Sequence, residues 1–198
     1  MSLSTDLTTL QDLKDWLSIT DSSFDAQFTA LISAMSAFMA RYCNRDFIQQ
    51  TNTEIRDGNG KQRILLKNYP VISITSVTID GVAIPVRPNP TSSGYVAPDP
   101  ADNAGLLALD GYCFNPGNKN VTIVYSAGVF TGTTQASASE IGWACRELCA
   151  WHWKRRQRPD EVSRSMNGAE IASFSQRDMP PEVMTTLNQY LNPAIPLG

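Results

Sequence analysis

The sequence is poor in the residues that most enzymes need. It has one histidine, four cysteines and no glycine-rich phosphate loop of either common type. A hydrolase of serine or cysteine type needs an imidazole beside its nucleophile and a carboxylate to orient it. His152 is the one imidazole available, and Cys149 lies three residues before it on the same expected helix, a poor geometry for attack at an open cleft. The carboxylates Asp12, Asp15, Asp57, Asp80 and Asp110 are scattered over helix surfaces and turns, where capping or solvated roles are expected. No catalytic residues, metal or cofactor are therefore expected. Cys43, Cys113, Cys145 and Cys149 lack the density and spacing of a disulfide scaffold, so reduced thiols are the default. Nowhere do eighteen apolar residues follow one another, and the opening MSLSTDLTTLQDLKDWL carries acids and no apolar run of signal length. The expectation is a protein made in a cytoplasm, with no membrane partner.

Charge of one sign is also missing in bulk. The balance of 16 basic against 19 acidic residues argues against wholesale wrapping of nucleic acid and leaves room for a local basic patch. With 42% hydrophobic and 18% charged residues, the 198-residue chain has the composition of a globular protein, of a length for one domain or one domain with an elaborated insertion.

What is present reads as helices at both ends and strands between them. Thr8 and Gln11 have capping-box spacing ahead of Leu10, Leu13 and Leu17, which predicts a short helix over 9–18. From Asp21 or Ser22, the residues Phe24, Phe28, Leu31, Ile32, Met35, Phe38, Met39 and Tyr42 recur at steps of three and four, predicting a long helix to about Asn44. Its stripe is wide enough to pack against two elements. From Thr51 to about Ser126 the period changes to that of strands. Asp57-Gly58-Asn59-Gly60, between TNTEIR and KQRILL, and Asp80-Gly81, between ISITSVTI and VAIPV, predict two hairpins. A proline-rich excursion over 87–103, with a short strand at Tyr95-Val96, precedes strands at Leu106–Leu109 and Val121–Tyr125.

Ser137 and Glu140 then form a second capping box, opening a helix to about Arg156 with Ile141, Ala144, Cys145, Leu148, Cys149 and His152 on one face. Residues 157–177 have no strong period and read as a mobile loop or an exposed hairpin around Asn167-Gly168. A last helix starts at Pro180-Pro181 and ends at Asn192-Pro193, and NPAIPLG reads as a disordered tail or an arm that orders on a partner. The fold class expected is α+β, with about four helices in a small bundle and a β-rich hairpin insertion. Its divisions fall at 1–50, 51–134, 135–191 and 192–198.

Two constellations stand out. Cys145, Cys149 and His152 are spaced so that two thiols and an imidazole approach one another on a helix. Without a fourth ligand or a CxxC knuckle, a core face is the plainer reading. Lys154, Arg155, Arg156 and Arg158, with Arg146 and Arg164, make the end of that helix strongly basic. The helix dipole favours cations there by about 0.3–1 kcal/mol, but this many exceed that need and suggest contact with DNA phosphates or an acidic protein surface. Trp143, Trp151 and Trp153 beside the run fit a subunit interface, where large aromatics concentrate.

Taken in order, LQDLKDWLSI, the helix end MARYCNRDF, the DGNG turn followed by ILLKNYPVISITSVTIDG, then YSAG and MPPEVMTTLNQYLNP resemble the head-tail connector, or adaptor, proteins of long-tailed bacteriophages. The excursion over 87–103 is larger than compact members of that family need. The resemblance implies a small helical bundle with a β-rich part, assembled as a homo-oligomeric ring with the portal's dodecameric symmetry. It further implies a virion location at the head-tail interface after assembly in the host cytoplasm. The implied partners are the portal protein, a tail-side connector or terminator, and packaged DNA passing through the channel. A ring of this kind needs two unlike surfaces on every copy. The rival readings are a DNA-binding regulator, prompted by the two opening helices, and a metal-dependent enzyme built on Cys145, Cys149 and His152. The first is disfavoured because the second helix, with its wide apolar stripe, has no polar face to offer base edges.

Overall fold

The computed structural model describes residues 5–96, 105–156 and 179–191, and by backbone alone the short segments 163–166 and 170–173. The chain divides into two compact units. One is Asn44–Gly132, and the other combines Ser4–Cys43 with Thr133–Leu191.

The first unit holds β1 (Gln50–Gly58), β2 (Arg63–Leu65), β3 (Val71–Ile79), β4 (Val82–Ile84), β5 (Gly94–Tyr95), β6 (Leu106–Asp110) and β7 (Gly117–Ala127). They form two antiparallel sheets, ordered β1-β7-β3-β4 and β2-β6-β5. The Asp80-Gly81 hairpin is present as read, with φ of 52° and 80° at its two turn residues and Ile79 paired with Val82. Both dihedrals are positive, as the tight turn matching strand twist requires. The DGNG segment is a correction: β1 pairs with β7 and β2 with β6, so the strands flanking it belong to different sheets. Gly60 donates its N–H to the Phe114 carbonyl at 2.7 Å instead of closing a hairpin. Turn residues report that the chain reverses, whereas burial decides the partner. Val121, Ile123, Tyr125 and Ala127 of β7 are fully buried and make it a central strand with a neighbour on each side.

Register then sorts the faces. Val121, Ile123 and Tyr125 lie beside Ile79, Val77 and Ile74 of β3, and with Ile64, Leu107 and Leu109 of the other sheet they join one buried cluster. On the β1 side of that same inner face stand Asn52, Glu54 and Arg56. Tyr125 donates its hydroxyl hydrogen to Glu54 at 2.7 Å, Glu54 pairs with Arg56, and the Asn68 N–H donates to the Tyr125 oxygen at 3.2 Å. Burial, reinforced by the bond to Glu54, pushes the phenol far above its usual value. Inward-pointing charges on a strand at a sheet edge also discourage further pairing there. The outer face carries the cross-strand rows Thr53–Val124–Ser76 and Ile55–Thr122–Thr78.

The second unit is helical: α1 (Leu10–Leu17), α2 (Asp25–Cys43), α3 (Thr133–Ser137), α4 (Glu140–Arg156) and α5 (Pro181–Gln189). The fold is thus α+β with five helices among the described residues, one more than the sequence suggests, because α3 is a separate short turn ahead of α4. The caps are displaced as well. Thr9, not Thr8, accepts from the Asp12 N–H at 3.1 Å, while Thr8 is buried with its hydroxyl 3.0 Å from that of Ser137. Ser139, not Ser137, accepts from the Gly142 N–H at the start of α4. Helix α2 begins at Asp25, whose carboxylate takes the Lys14 ammonium at 2.8 Å, and α5 ends at Gln189 rather than at Asn192. Phe28, Ile32, Ser36, Met39 and Cys43 are the buried line of α2, while Leu31, Met35, Phe38 and Tyr42 are only half-buried. Within 157–177, β8 (Ser163–Met166) and β9 (Glu170–Ser173) pair antiparallel, the hairpin alternative. The rest of that segment, residues 97–104 of the excursion and the tail 192–198 lie outside the described residues.

Candidate functional site

Helix α4 carries every site residue that the sequence singles out except Arg158 and Arg164, and the structure divides them between inside and outside. Cys145 and Cys149 are fully buried, with the Cys145 sulfur 3.7 Å from the Ser36 hydroxyl of α2. The hydrogen bond with Cys145 and then burial push the Cys149 thiol up, while the same hydrogen bond lowers that of Cys145. His152 is half-buried, and burial, followed by the charge of Arg155, lowers its pKa. Its ring meets that of Trp151 edge-on at 4.9 Å. Among the described residues no group of three His, Cys, Asp or Glu side chains could hold a metal ion. Cys145 and Cys149 pack inward, against the helical core.

Arg146 is turned to a structural task. One of its terminal nitrogens donates to the Ser137 carbonyl at 2.7 Å and lies 3.0 Å from the Ser137 hydroxyl, and the guanidinium sits over the Trp16 ring at 5.9 Å. Asp12 completes the knot, accepting from Ser137 and from Thr9. Those two bonds, aided by the nearby charge of Arg146, hold the Asp12 carboxyl below its ordinary value. The contribution of such a group is present above its unfolded pKa of about 3.9 and is lost as pH falls through the lower folded value. Asp12→Asn is therefore expected to melt below the parent at neutral pH, with the gap closing as acid protonates the Asp12 carboxylate of the folded parent. Thermal melts between pH 2.5 and 7 check this, and a gap that ignores pH would show that charge is not involved.

The exposed end of α4 is where the basic run remains available. Lys154, Arg155 and Arg156 are all exposed. The Arg155 guanidinium lies 5.0 Å from the centre of the Trp151 ring. Arg156 lies 5.6 Å from that of Trp153 and donates to Gln27 at 2.6 Å. Two cations are thereby held over aromatic faces, which orders them before any partner arrives. Their spacings, Trp151 to Arg155 and Trp153 to Arg156, are those of facing helix neighbours and were a usable signal. Arg158 lies outside the described residues, and Arg164 falls on β8, where only the backbone is described.

The tryptophans separate too. Trp143 and Trp151 are half-buried, but Trp153 is 9% exposed and packs edge-on against Phe28 at 4.7 Å and Phe24 at 5.1 Å. It belongs to the chain's own core rather than to a surface. The periodicity held the clue, since Cys145, Cys149 and Trp153 recur at steps of four. Trp16, 45% exposed on α1 beside Arg146, is a surface aromatic that the sequence reading passed over. What the arrangement offers chemically is a cluster of ordered guanidiniums suited to phosphate or carboxylate oxygens, not a reactive centre.

Comparison with known proteins adds the following. A family model described as head completion protein matches residues 6–192. No curated protein matches the chain. Among solved structures, a chain from the neck of an empty gene transfer agent particle, computed with C6 symmetry, superposes with a TM-score of 0.65 at 17% identity, covering 100% of this chain and 96% of its own. One from the neck of the native particle, computed with C12 symmetry, gives 0.53 at 16% identity, covering 100% and 99%. A chain of the native gene transfer agent virion gives 0.62 at 15% identity, covering 100% and 96%.

Proposed function

The chain belongs to the head completion protein family, whose members are structural and not enzymatic, and from that premise we propose that it is a head-tail connector subunit of a bacteriophage-like virion. Copies join as a homo-oligomeric ring beneath the portal, extend the channel through which DNA passes and present a docking surface to the next tail component. The observation that carries this reading is the match over residues 6–192, supported by likeness across the whole chain to neck proteins of a symmetric particle.

Within that role, Trp143 and Trp151 contribute to contacts between subunits, and Trp153 stays with the fold that supports them. Lys154, Arg155 and Arg156, continued by Arg158 and Arg164, face either the phosphates of the channel DNA or an acidic surface of the portal. Arg146 is left out of that set because one of its terminal nitrogens is held by Ser137 and its guanidinium lies over Trp16. The ring is dodecameric in the virion, in register with the portal, after assembly in the host cytoplasm.

Native mass spectrometry and negative-stain imaging of the purified chain, alone and with portal-bearing heads, test the reading. Rings, or monomers that close into rings on the portal, are expected. A monomer that ignores the portal yet retards DNA would overturn it in favour of a regulator. The double substitution Lys154→Glu with Arg155→Glu is expected to lower the melting temperature slightly, by loss of the helix-end cations, and to weaken joining to heads at low salt, with a smaller effect at high salt because exposed charges are screened. Undiminished joining at every salt concentration would remove the basic end from the interface.

A further inference from the structure

The β unit shows two outer faces on opposite sides of one core. Its two sheets share a single buried cluster, so the side chains that point away from that cluster leave in opposite directions. On the four-stranded sheet the outward rows Thr53–Val124–Ser76 and Ile55–Thr122–Thr78 contain no charged side chain, and Ile55 is 58% exposed. Two of the six, Ile55 and Val124, are apolar in rows whose other outward side chains are hydroxyls. Here β-branched and hydroxyl side chains take every outward position in those rows.

The three-stranded sheet presents a different outer face. Leu65 and Leu106 are paired across strands and exposed at 41% and 44%, and Val96 follows β5 with 38% exposure. Charge appears at the margin of this patch, as Arg63 and Lys67 on either side of Leu65 and as the Arg87–Asp110 ion pair. An apolar centre within a charged rim is the anatomy of a protein interface.

We infer that the uncharged rows Thr53–Val124–Ser76 and Ile55–Thr122–Thr78 of one copy pack against the Leu65–Leu106 patch of the next, forming a contact that propagates the ring. The inference rests on the connector reading above. Closing a circle requires every copy to expose two unlike, mutually fitting surfaces on opposite sides, and this small sandwich supplies that pair within one unit. The chemistry also selects the occupant. Rows without a cation supply no counter-charge to DNA phosphates, and seating a charged partner on them would strip its water without a paired charge in return. The Leu65–Leu106 patch of a second copy suits it, because its charges sit at the rim and its centre is apolar.

The test uses the full chain with exposed Cys113 replaced by serine, leaving three buried thiols. Thr53→Cys marks the first face and Leu106→Cys the second, and a short bismaleimide is added to protein at concentrations where native mass spectrometry of the same samples shows rings. The chain carrying both substitutions is expected to give a ladder of cross-linked species up to the closed ring. Each single substitution is expected to give monomer only. Cross-linked dimers from a single substitution would overturn the pairing of unlike faces. Rings by mass spectrometry without a ladder from the doubly substituted chain would overturn this interface while leaving the connector reading intact. Absence of rings both in solution and on portal-bearing heads would remove that reading and this inference together. Val124→Glu gives a second readout: with an unchanged circular dichroism spectrum, it is expected to abolish ring formation, and normal rings would count against the proposed face.

Discussion

Trp153→Ala is expected to destabilise the helical unit by about 3–5 kcal/mol, the range for deleting a large buried aromatic. The indole fills the space between Phe28 and Phe24 with ring centres 4.7 and 5.1 Å away, and these contacts hold the last turn of α4 to the first turn of α2. Its removal also takes away the ring beneath Arg156. Trp151→Ala, two residues earlier, removes a half-buried ring and is expected to cost under about 1 kcal/mol. Chemical denaturation of the purified variants separates the two. The reversed effects appear in assembly: Trp151→Ala is expected to fold and join poorly, because its ring lies at the surface beneath Arg155. Equal losses of stability would mean that both rings are core residues and that the surface role of Trp151 is mistaken.

The second large effect comes from Gly142→Ala, where helix propensity alone gives the wrong sign. In the interior of an exposed helix, replacing glycine by alanine gains roughly 1 kcal/mol. At this position an added Cβ would stand 2.4 Å from the carbonyl oxygens of Ala136 and Ser137 and from the Ser137 Cα, all backbone atoms at the end of α3. Such a contact cannot be relieved by turning a side chain, so the α3–α4 junction must open. Overpacking of this kind costs typically 1–3 kcal/mol and outweighs the propensity gain. The junction also carries Ser137, the partner of Asp12 and Arg146, so the loss should spread to the α1 anchor. The expected result is a melting temperature below the parent and weakened acid sensitivity of the kind traced to Asp12. A variant more stable than the parent would show that the close approach of the two helices does not persist in solution.

Both cases show where the sequence could be read and where it could not. The period of three and four located α1, α2, α4 and α5, and the change to strand composition located the middle, because these patterns are set by neighbours along the chain. The Asp80-Gly81 turn was readable for the same reason, since its positive dihedrals are a local demand. Caps were misplaced by one or two residues wherever adjacent hydroxyls could serve. Thr8 and Thr9 both offer a hydroxyl at the start of α1, and in the fold Thr9 caps the helix while Thr8 lies beside Ser137. The basic end of α4 is likewise legible as a run, but Ser137 and Trp16, distant in sequence, take Arg146 out of it.

The sequence by itself determined the kinds of element and their order, because these depend on residue types and on spacings of a few positions. Only the tertiary structure decided that DGNG crosses between sheets, that β7 lies between β1 and β3, and that Trp153 turns inward while Trp151 does not. It also decided that the uncharged rows of one sheet and the leucines of the other leave the same core in opposite directions. Each of those outcomes is a choice among partners distant along the chain. Such choices are made by how much apolar surface each alternative buries, a quantity that does not exist until the chain is folded.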